Sequence, residues 1–377
     1  MASKKSKKIK VGVIFGGRSG EHEVSIVSGQ SVMKALDKKK YQAVPIGITR
    51  QGKWLTGTEA IKYLKSEIKK LPVESYLPAD PGRRQLVSLD KKGSKVTPVD
   101  VVFPVLHGTY GEDGTIQGLF EMANVPYVGS GVLGSALGMD KVVQKQLLSS
   151  LKLPLVPYVW FYMQEWKKGR RQIIKNIFDN LKYPIFVKPA NLGSSVGITK
   201  VKNHKQLELG VSLAGKFDQK IIVEQAVIGA RELECAVLGN LRPKASVVGE
   251  IVASNEFYDY HAKYVGGESK EIIPAKISQR TADSIKQMAL LAFKTLNCYG
   301  LARVDFFLSK GGKVYLNELN TMPGFTSISM YSKLWSKTGV PYQKLVSRLI
   351  DLAIARHNTK NKLQTDFASD SDWYKQK

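Results

Sequence analysis

Short apolar runs, clusters of turn-forming residues and polar–apolar stretches of helical period follow one another along this chain. Residues 9–15 (Ile-Lys-Val-Gly-Val-Ile-Phe) read as a buried strand, Gly16-Gly17-Arg18-Ser19-Gly20 as a turn, and Glu21 as the start of a helix reaching about Leu36. Residues 41–48 and 100–106 are further strands, the second ending at His107-Gly108. Strands followed by helices predict an α/β domain with a parallel, Rossmann-like sheet, which takes ligands at the carboxyl ends of its strands. Glu21 and His107 stand just beyond two such ends. Residues 68–98 are less regular, punctuated by Pro78, Pro81-Gly82 and Lys91-Lys92-Gly93. Tyr127-Val128-Gly129-Ser130-Gly131 closes this domain, and a helix follows Asp140-Lys141. Strands are then expected at 157–161, 185–188, 196–201 and 220–224, with a helix at 206–215. Residues 231–238 and 246–253 alternate as antiparallel strands do. Residues 255–271 do not alternate and contain Gly266-Gly267, which marks a loop long enough to suspect a function. Helices at 280–297 and 340–356 end the ordered part, and the polar residues from about 360 are expected to fray.

The sharpest local signal lies between residues 301 and 324. Polar and apolar residues alternate on both sides of Gly311-Gly312, as in a hairpin closed by a two-residue type I′ turn. With Lys310 opposite Lys313, counting outward sets Asp305 against Glu318 and Arg303 against Asn320, all on one sheet face. Two carboxylates a strand spacing apart repel unless something positive lies between them. A hard divalent cation riding on a nucleotide phosphate would serve. The pattern also allows a plain solvated face, with Leu301, Val304, Phe306, Leu316 and Leu319 as the core side.

Composition narrows the classes. A chain of 377 residues suggests two or three domains, and 43% hydrophobic residues suffice for real cores. The only cysteines, Cys235 and Cys298, lie in apolar runs, which excludes a disulfide scaffold and fits a reducing compartment. No apolar run approaches the length of a membrane span, and the lysine-rich start lacks the apolar core of a signal peptide, so a cytoplasmic protein is expected. The formal charge of +25 raises the question of nucleic acid. The lysines are spread along the whole chain, without zinc-finger cysteines or basic-aromatic RNA-binding strands, so a lysine-rich surface that favours anionic ligands such as ATP is expected instead.

Two further segments carry candidate chemistry. Lys188-Pro189 ends a strand and leads into Ala190-Asn191-Leu192-Gly193-Ser194-Ser195-Val196-Gly197. Such a loop can turn backbone N–H groups toward phosphate with a lysine at its mouth, although a simple β-turn explains it too. Glu224-Gln225-Ala226-Val227 and Glu232 could meet adenine and ribose, or form a solvated strand edge.

Taken together, these elements resemble the D-alanine–D-alanine ligase family of the ATP-grasp superfamily over residues 9–356. The matching motifs are Gly16-Gly17-Arg18-Ser19-Gly20-Glu21-His22-Glu23-Val24-Ser25, His107-Gly108 with Gly111-Glu112-Asp113-Gly114, and Lys188-Pro189 with Gly193-Ser194-Ser195-Val196-Gly197. Tyr258-Asp259-Tyr260 with Lys263-Tyr264, Arg303-Val304-Asp305, and Asn317-Glu318-Leu319-Asn320-Thr321-Met322-Pro323-Gly324 complete them. The resemblance implies an N-terminal α/β substrate-binding and dimerisation domain (1–130) and a two-lobed α+β ATP-grasp unit. The central lobe would span 131–224 and the C-terminal lobe 225–377, with a lid at 255–271 and the metal hairpin at 301–324. It implies ligation of two D-alanines through a D-alanyl phosphate, with release of ADP and phosphate, for peptidoglycan precursor synthesis in a cytoplasmic homodimer.

Roles carried over by the resemblance are as follows. Asp305, Glu318 and Asn320 would hold two Mg²⁺ (or Mn²⁺) ions. Lys141, Lys188, Lys263, Ser194 and Ser195 would serve the phosphates of ATP, and Glu224, Val227 and Glu232 adenine and ribose, in a stretch one residue longer than the family's commonest form. Asn320 would also meet the nucleotide. Glu21, coupled to Ser194 and Tyr264, would hold the first ammonium, and His107 would lie near the first carboxylate. Arg303 and the Gly324 N–H would form an oxyanion hole. Ser329 and Met330 would take the second carboxylate, and Tyr264 with an apolar Met330 favours D-alanine over D-lactate or D-serine. Another ATP-grasp carboxylate–amine ligase would keep Lys188, Asp305, Glu318 and Asn320 without requiring Glu21, Tyr264 and Ser329 together. A basic nucleic-acid-binding protein would explain the charge but not the hairpin.

Overall fold

A computed structural model describes residues 7–90, 93–252 and 270–364 of the chain. Lys263, Tyr264 and most of the expected lid lie outside the described residues.

The first part runs β1 (Ile9–Gly16), α1 (His22–Ala35), β2 (Tyr41–Ile48), β3 (Trp54–Thr56), α2 (Glu59–Leu64), β4 (Glu74–Tyr76), β5 (Gln85–Asp90), β6 (Gly93–Pro98), β7 (Val101–Pro104) and α3 (Thr115–Met122). Its sheet has the order β6-β5-β4-β3-β2-β1-β7. Only β2-β1-β7 is parallel. Those strands are covered on both faces, which is why Val11, Val13, Ile14 and Phe15 form an unbroken apolar run. The other pairings are antiparallel. The stretch expected to be irregular, 68–98, therefore holds three strands. None of the three was expected, and for two the reason is physical: β4 has three residues and β6 is largely exposed, so neither shows an apolar alternation.

The second part has α4 (Val132–Met139), α5 (Lys141–Ser150), β8 (Tyr158–Tyr162), α6 (Met163–Asn180), β9 (Ile185–Pro189), β10 (Thr199–Val201), α7 (His204–Ala214) and β11 (Lys220–Gln225). The sheet order is β10-β9-β11-β8, wholly antiparallel. Its own core packs Ile177 of α6 and Leu207 and Val211 of α7 against Ile185, Val187, Ile221 and Val223.

The third part has β12 (Arg231–Gly239), β13 (Lys244–Val252), β14 (Lys270–Ile272), α8 (Gln279–Thr295), β15 (Gly300–Leu308), β16 (Val314–Asn320), α9 (Met330–Lys337) and α10 (Tyr342–Lys360). Its antiparallel sheet runs β14-β13-β12-β15-β16. Lys270 and Glu271, expected at the end of the long loop, are already strand. Ser278 caps α8 by accepting from Thr281 N, and Ile285, Met288, Ala289, Ala292 and Phe293 line its buried stripe. The opposite face of the sheet meets α9 and α10, in one continuous core with Val11, Val13, Phe15 and Phe103 of the first part.

The hairpin β15–β16 pairs Asp305 with Glu318 and Arg303 with Asn320, as expected. Its turn differs. Phe306 faces Leu316 and Leu308 faces Val314, so three residues, Lys310 to Gly312, form the loop. Gly312 N donates to Ser309 O at 2.9 Å and Gly312 has φ +80°, the type I turn plus left-handed residue of a three-residue hairpin. A bulge at Asn317 then restores the register. Val304, Phe306, Leu316 and Leu319 do share one core, but Leu301 lies with Arg303 on the other face, in the core shared with the first part.

Candidate functional site

The three parts surround one cavity of about 1310 Å³. Glu21 enters it at the N-cap position of α1, and its residue is buried. Ser194 Oγ donates to Glu21 Oε1. The fit is tight: a Cβ at Gly193 would lie 2.6 Å from Glu21 Oε2, and one at Gly108 2.9 Å from the same atom. Those two glycines let two loops close on one carboxylate. His107 is buried beside it. Its Nδ1 is 3.0 Å from Met322 O, which can only accept, so Nδ1 carries the proton and Nε2 accepts from Ser28 Oγ at 3.2 Å. Burial lowers the His107 pKa, so the ring is neutral.

On the facing side the loop after β9 carries Ser194 at φ +50° and Ser195 at φ +59°. Two successive non-glycine residues in the left-handed region cost roughly 1–2 kcal/mol each, a strain that gathers at functional loops. Lys141 Nζ donates to Leu192 O of this loop at 2.7 Å and lies 3.8 Å from Glu318 Oε2. Lys188 follows from the sheet register. Lys188 pairs with Ile222, so it lies diagonal to Glu224 on the same face. Its Nζ reaches Glu224 Oε2 at 2.6 Å, and Lys145 Nζ lies 3.1 Å from Oε1. Burial pushes the Glu224 carboxyl up, but the two ammonium groups outweigh it and hold the pKa at about 2. Lys188 is likewise pushed down by burial and, on balance, raised by Glu224 and Glu318.

Across the C-terminal sheet Glu234, Asp305 and Glu318 form one row over three strands. Arg303 binds Asp305 with two parallel bonds of 2.7 Å and lies 3.2 Å from Glu234 Oε2. These acids, after the opposing effect of burial, raise its pKa well above normal. Asn320 Nδ2 donates to Asp305 Oδ2 at 3.0 Å. Among the described residues no group of three or more His, Cys, Asp or Glu is gathered to hold a metal ion. The donor set Asp305, Glu318 and Asn320 nevertheless fits Mg²⁺, which takes one or two carboxylates and completes its shell with water and phosphate oxygens.

β16 is an edge strand, and two side chains and one backbone segment hold its outer edge. Gln144 accepts from Leu319 N at 2.9 Å and donates to Leu319 O at 3.1 Å. Lys145 Nζ donates to Asn317 O at 3.0 Å, and Leu316 N donates to Pro154 O at 2.8 Å. Beyond the strand, Met322 N donates to Glu112 Oε1 at 3.0 Å while Met322 O accepts from His107. The chain then reaches Gly324 and Ser329, which precedes α9. Ser329 Oγ accepts from Thr326 N at 3.0 Å. The start of α9 offers backbone N–H groups suited to a carboxylate.

Glu21, His107, Lys141, Lys188, Ser194, Ser195, Glu224, Val227, Glu232, Arg303, Asp305, Glu318, Asn320, Gly324, Ser329 and Met330 all line this cavity. Lys263 and Tyr264 lie outside the described residues. Met330 is also a core residue, 5% exposed, and its side-chain end crowds Gly249. Sequence reasoning held Glu112 only as part of a motif, with no role, and missed Gln144, Lys145 and Glu234. Two of the missed residues had a usable signal. Lys145 follows Lys141 by four residues on one helix, hence on the same face, and Glu234 follows Glu232 by two on a strand.

Residues 10–130 match the family model described as D-ala D-ala ligase N-terminus, and residues 147–351 match D-ala D-ala ligase C-terminus. The D-alanine–D-alanine ligase of Natranaerobius thermophilus is 50% identical over 365 residues, covering 96% of this chain and 99% of that protein. The D-alanine–D-alanine ligase of Geobacillus thermodenitrificans is 48% identical over 364 residues, with 96% and 99% covered. Among solved structures, the VanG D-Ala:D-Ser ligase from Enterococcus faecalis aligns with a TM-score of 0.82 at 37% identity, covering 92% of this chain and 100% of that one. The D-alanine-D-alanine ligase from Coxiella burnetii aligns at 0.81 and 35%, covering 95% and 97%.

Proposed function

This chain belongs to the D-alanine–D-alanine ligase family, and we propose that it joins two D-alanines at the expense of ATP. The observation that carries the reading is the single cavity in which the described candidate residues, drawn from all three parts of the chain, converge.

The first D-alanine binds with its ammonium on Glu21, fixed by Ser194, and its carboxylate toward His107. A carboxylate oxygen attacks the γ-phosphorus and ADP leaves, giving D-alanyl phosphate. The amine of the second D-alanine, its carboxylate at the Ser329–Met330 start of α9, attacks the carbonyl carbon. Phosphate leaves and the amine loses a proton. Negative charge on the carbonyl oxygen is met by Arg303 and the Gly324 N–H. Lys141, Lys188 and the Ser194-Ser195 loop receive the phosphates. Gln225 N and Ala226 N are already bonded to Pro157 O and Pro184 O, which supports Val227 as the backbone contact to adenine, with Glu232 toward the ribose. Divalent ions held by Asp305, Glu318 and Asn320 would neutralise the phosphate charge that otherwise repels the attacking carboxylate. Lys263 and Tyr264 are proposed to cover the site, and the protein to act as a cytoplasmic homodimer in cell-wall precursor synthesis.

Phosphate release with ATP and Mg²⁺ tests this. D-Alanine should stimulate ADP formation and yield the dipeptide, L-alanine should not, and Asp305→Asn should abolish most turnover. Absence of D-alanine-dependent ADP formation overturns the reading, and full activity in Asp305→Asn overturns the metal assignment. The likeness to a D-Ala:D-Ser ligase makes D-serine the competitor to include at the second site. The apolar Met330 favours D-alanine, and a higher kcat/KM for D-serine would reverse that choice.

A further inference from the structure

Lys145 takes no part in the chemistry above, yet its residue is only 1% exposed. Desolvating an ammonium is costly, and an apolar side chain of the same length would fill the space without that penalty. Its bonds indicate an electrostatic task. One Glu224 oxygen faces Lys145 at 3.1 Å and the other faces Lys188 at 2.6 Å. Lys145 is anchored independently, through Asn317 O at 3.0 Å, on the strand that carries Glu318. Lys188, at the start of the phosphate loop, faces competing demands. A carboxylate that holds its ammonium withholds it from phosphate. Were Lys188 to turn away from a Glu224 with no second cation, a buried anion would be left unpaired.

We propose that Lys145 is a positioning residue for the nucleotide: it carries the Glu224 charge, so that Lys188 can pass from Glu224 to a phosphate group without stranding a buried carboxylate. The proposal rests on the nucleotide reading of this cavity. It extends that reading by separating a lysine that touches the nucleotide from one that makes the contact affordable. Burial lowers the Lys145 pKa and the Glu224 charge opposes that fall, so the ammonium depends on Glu224 as much as Glu224 depends on it.

Calorimetric binding of ADP and of adenosine to the full chain distinguishes this role from packing. Lys145→Met keeps the length and removes the charge. It should weaken ADP roughly ten- to hundredfold while adenosine changes by about twofold or less. KM for ATP should rise while kcat at saturating ATP changes little, and Lys145→Arg should recover most of the loss. In a Glu224→Gln background the charge to be carried is gone, so adding Lys145→Met should cost little more. Equal loss of ADP and adenosine affinity, or full additivity with Glu224→Gln, overturns the proposal. Should Lys145→Met fail to fold, the double variant, which strands no carboxylate and leaves Lys188 as it is in Glu224→Gln, is compared with Glu224→Gln alone. Matching ADP affinities support the proposal and a further loss overturns it. A wild type that binds no ADP would overturn the nucleotide reading and this proposal together, whereas equal losses in an ADP-binding protein remove this proposal alone.

Discussion

Glu112 accepts one backbone N–H on each carboxylate oxygen, from Gly108 at 2.7 Å and from Met322 at 3.0 Å. Those bonds favour the ionised form, yet burial and the nearby Glu21 charge outweigh them and push its pKa up to about 8. The consequence for stability has a definite sign. The unfolded carboxyl titrates near 4.5 and the folded one near 8, so between these values the folded state binds more protons. This group's contribution is complete below pH 4.5 and is lost as the pH rises toward 8. Glu112→Gln removes the titration along with one N–H acceptor. Melting temperatures of both proteins between pH 5 and pH 8 should show wild type falling relative to the variant as the pH rises. Parallel curves would contradict the assignment. The same residue shows where a local pattern ends. Gly111-Glu112-Asp113-Gly114 marks a motif in the sequence, but the partner at Met322 lies 210 positions away and no spacing announces it. Arg303 was more legible, because its partner Asp305 is two residues on along the same strand face.

At the level of elements, the hairpin was readable and its turn was not. Alternation set Asp305 opposite Glu318, while the loop proved one residue longer and the bulge at Asn317 compensated. The bulge answers to tertiary partners rather than local sequence: Lys145 takes Asn317 O, and Pro154 O takes Leu316 N. The exposed strands of the first sheet were missed because burial writes the apolar pattern, and little is buried there. Edge protection of β16 is likewise invisible in its own residues. Gln144 acts there as a substitute strand, satisfying both backbone groups of Leu319. Gln144→Leu keeps the bulk and orphans both groups, so urea unfolding should show a loss of roughly 1–3 kcal/mol for each. Because Glu318 and Asn320 flank Leu319, the apparent Mg²⁺ affinity in the ATP assay should fall as well. Unchanged stability would mean that water replaces Gln144 and that the strand is held by its other contacts.

For the whole molecule, the cores divide the chain differently from its sequence order. The division into 1–130, 131–224 and 225–377 remains a proposal about function. The packing couples the first and last of these. Val11, Val13, Phe15 and Phe103 share one core with Phe325, Tyr331, Leu345 and Leu349, whereas α6, α7 and their sheet enclose a core of their own. Arg356 of α10 reinforces the joint: it donates to Gly129 O at 2.5 Å and Tyr127 O at 3.3 Å and lies over the Tyr127 ring at 4.3 Å. An α10 lifted from the first sheet would expose large apolar area on both sides, so β1, β7 and α10 should open as one cooperative unit. The core of α6, α7 and their sheet is separate from that one, whereas Leu148 of α5 packs into the core of the C-terminal sheet. Native-state hydrogen exchange of the full chain tests this directly. Amides of β1 and α10 should share one opening free energy, and those of β9 and α7 should have a lower one. Arg356→Met should reduce protection in β1, β7 and α10 together while leaving β9 and α7 unaffected. If β1 kept its protection while α10 lost it, the shared core would be a contact between separate units. The cavity that brings Lys188 and Ser194 to Glu21 and Arg303 would then lie across a joint between separate units.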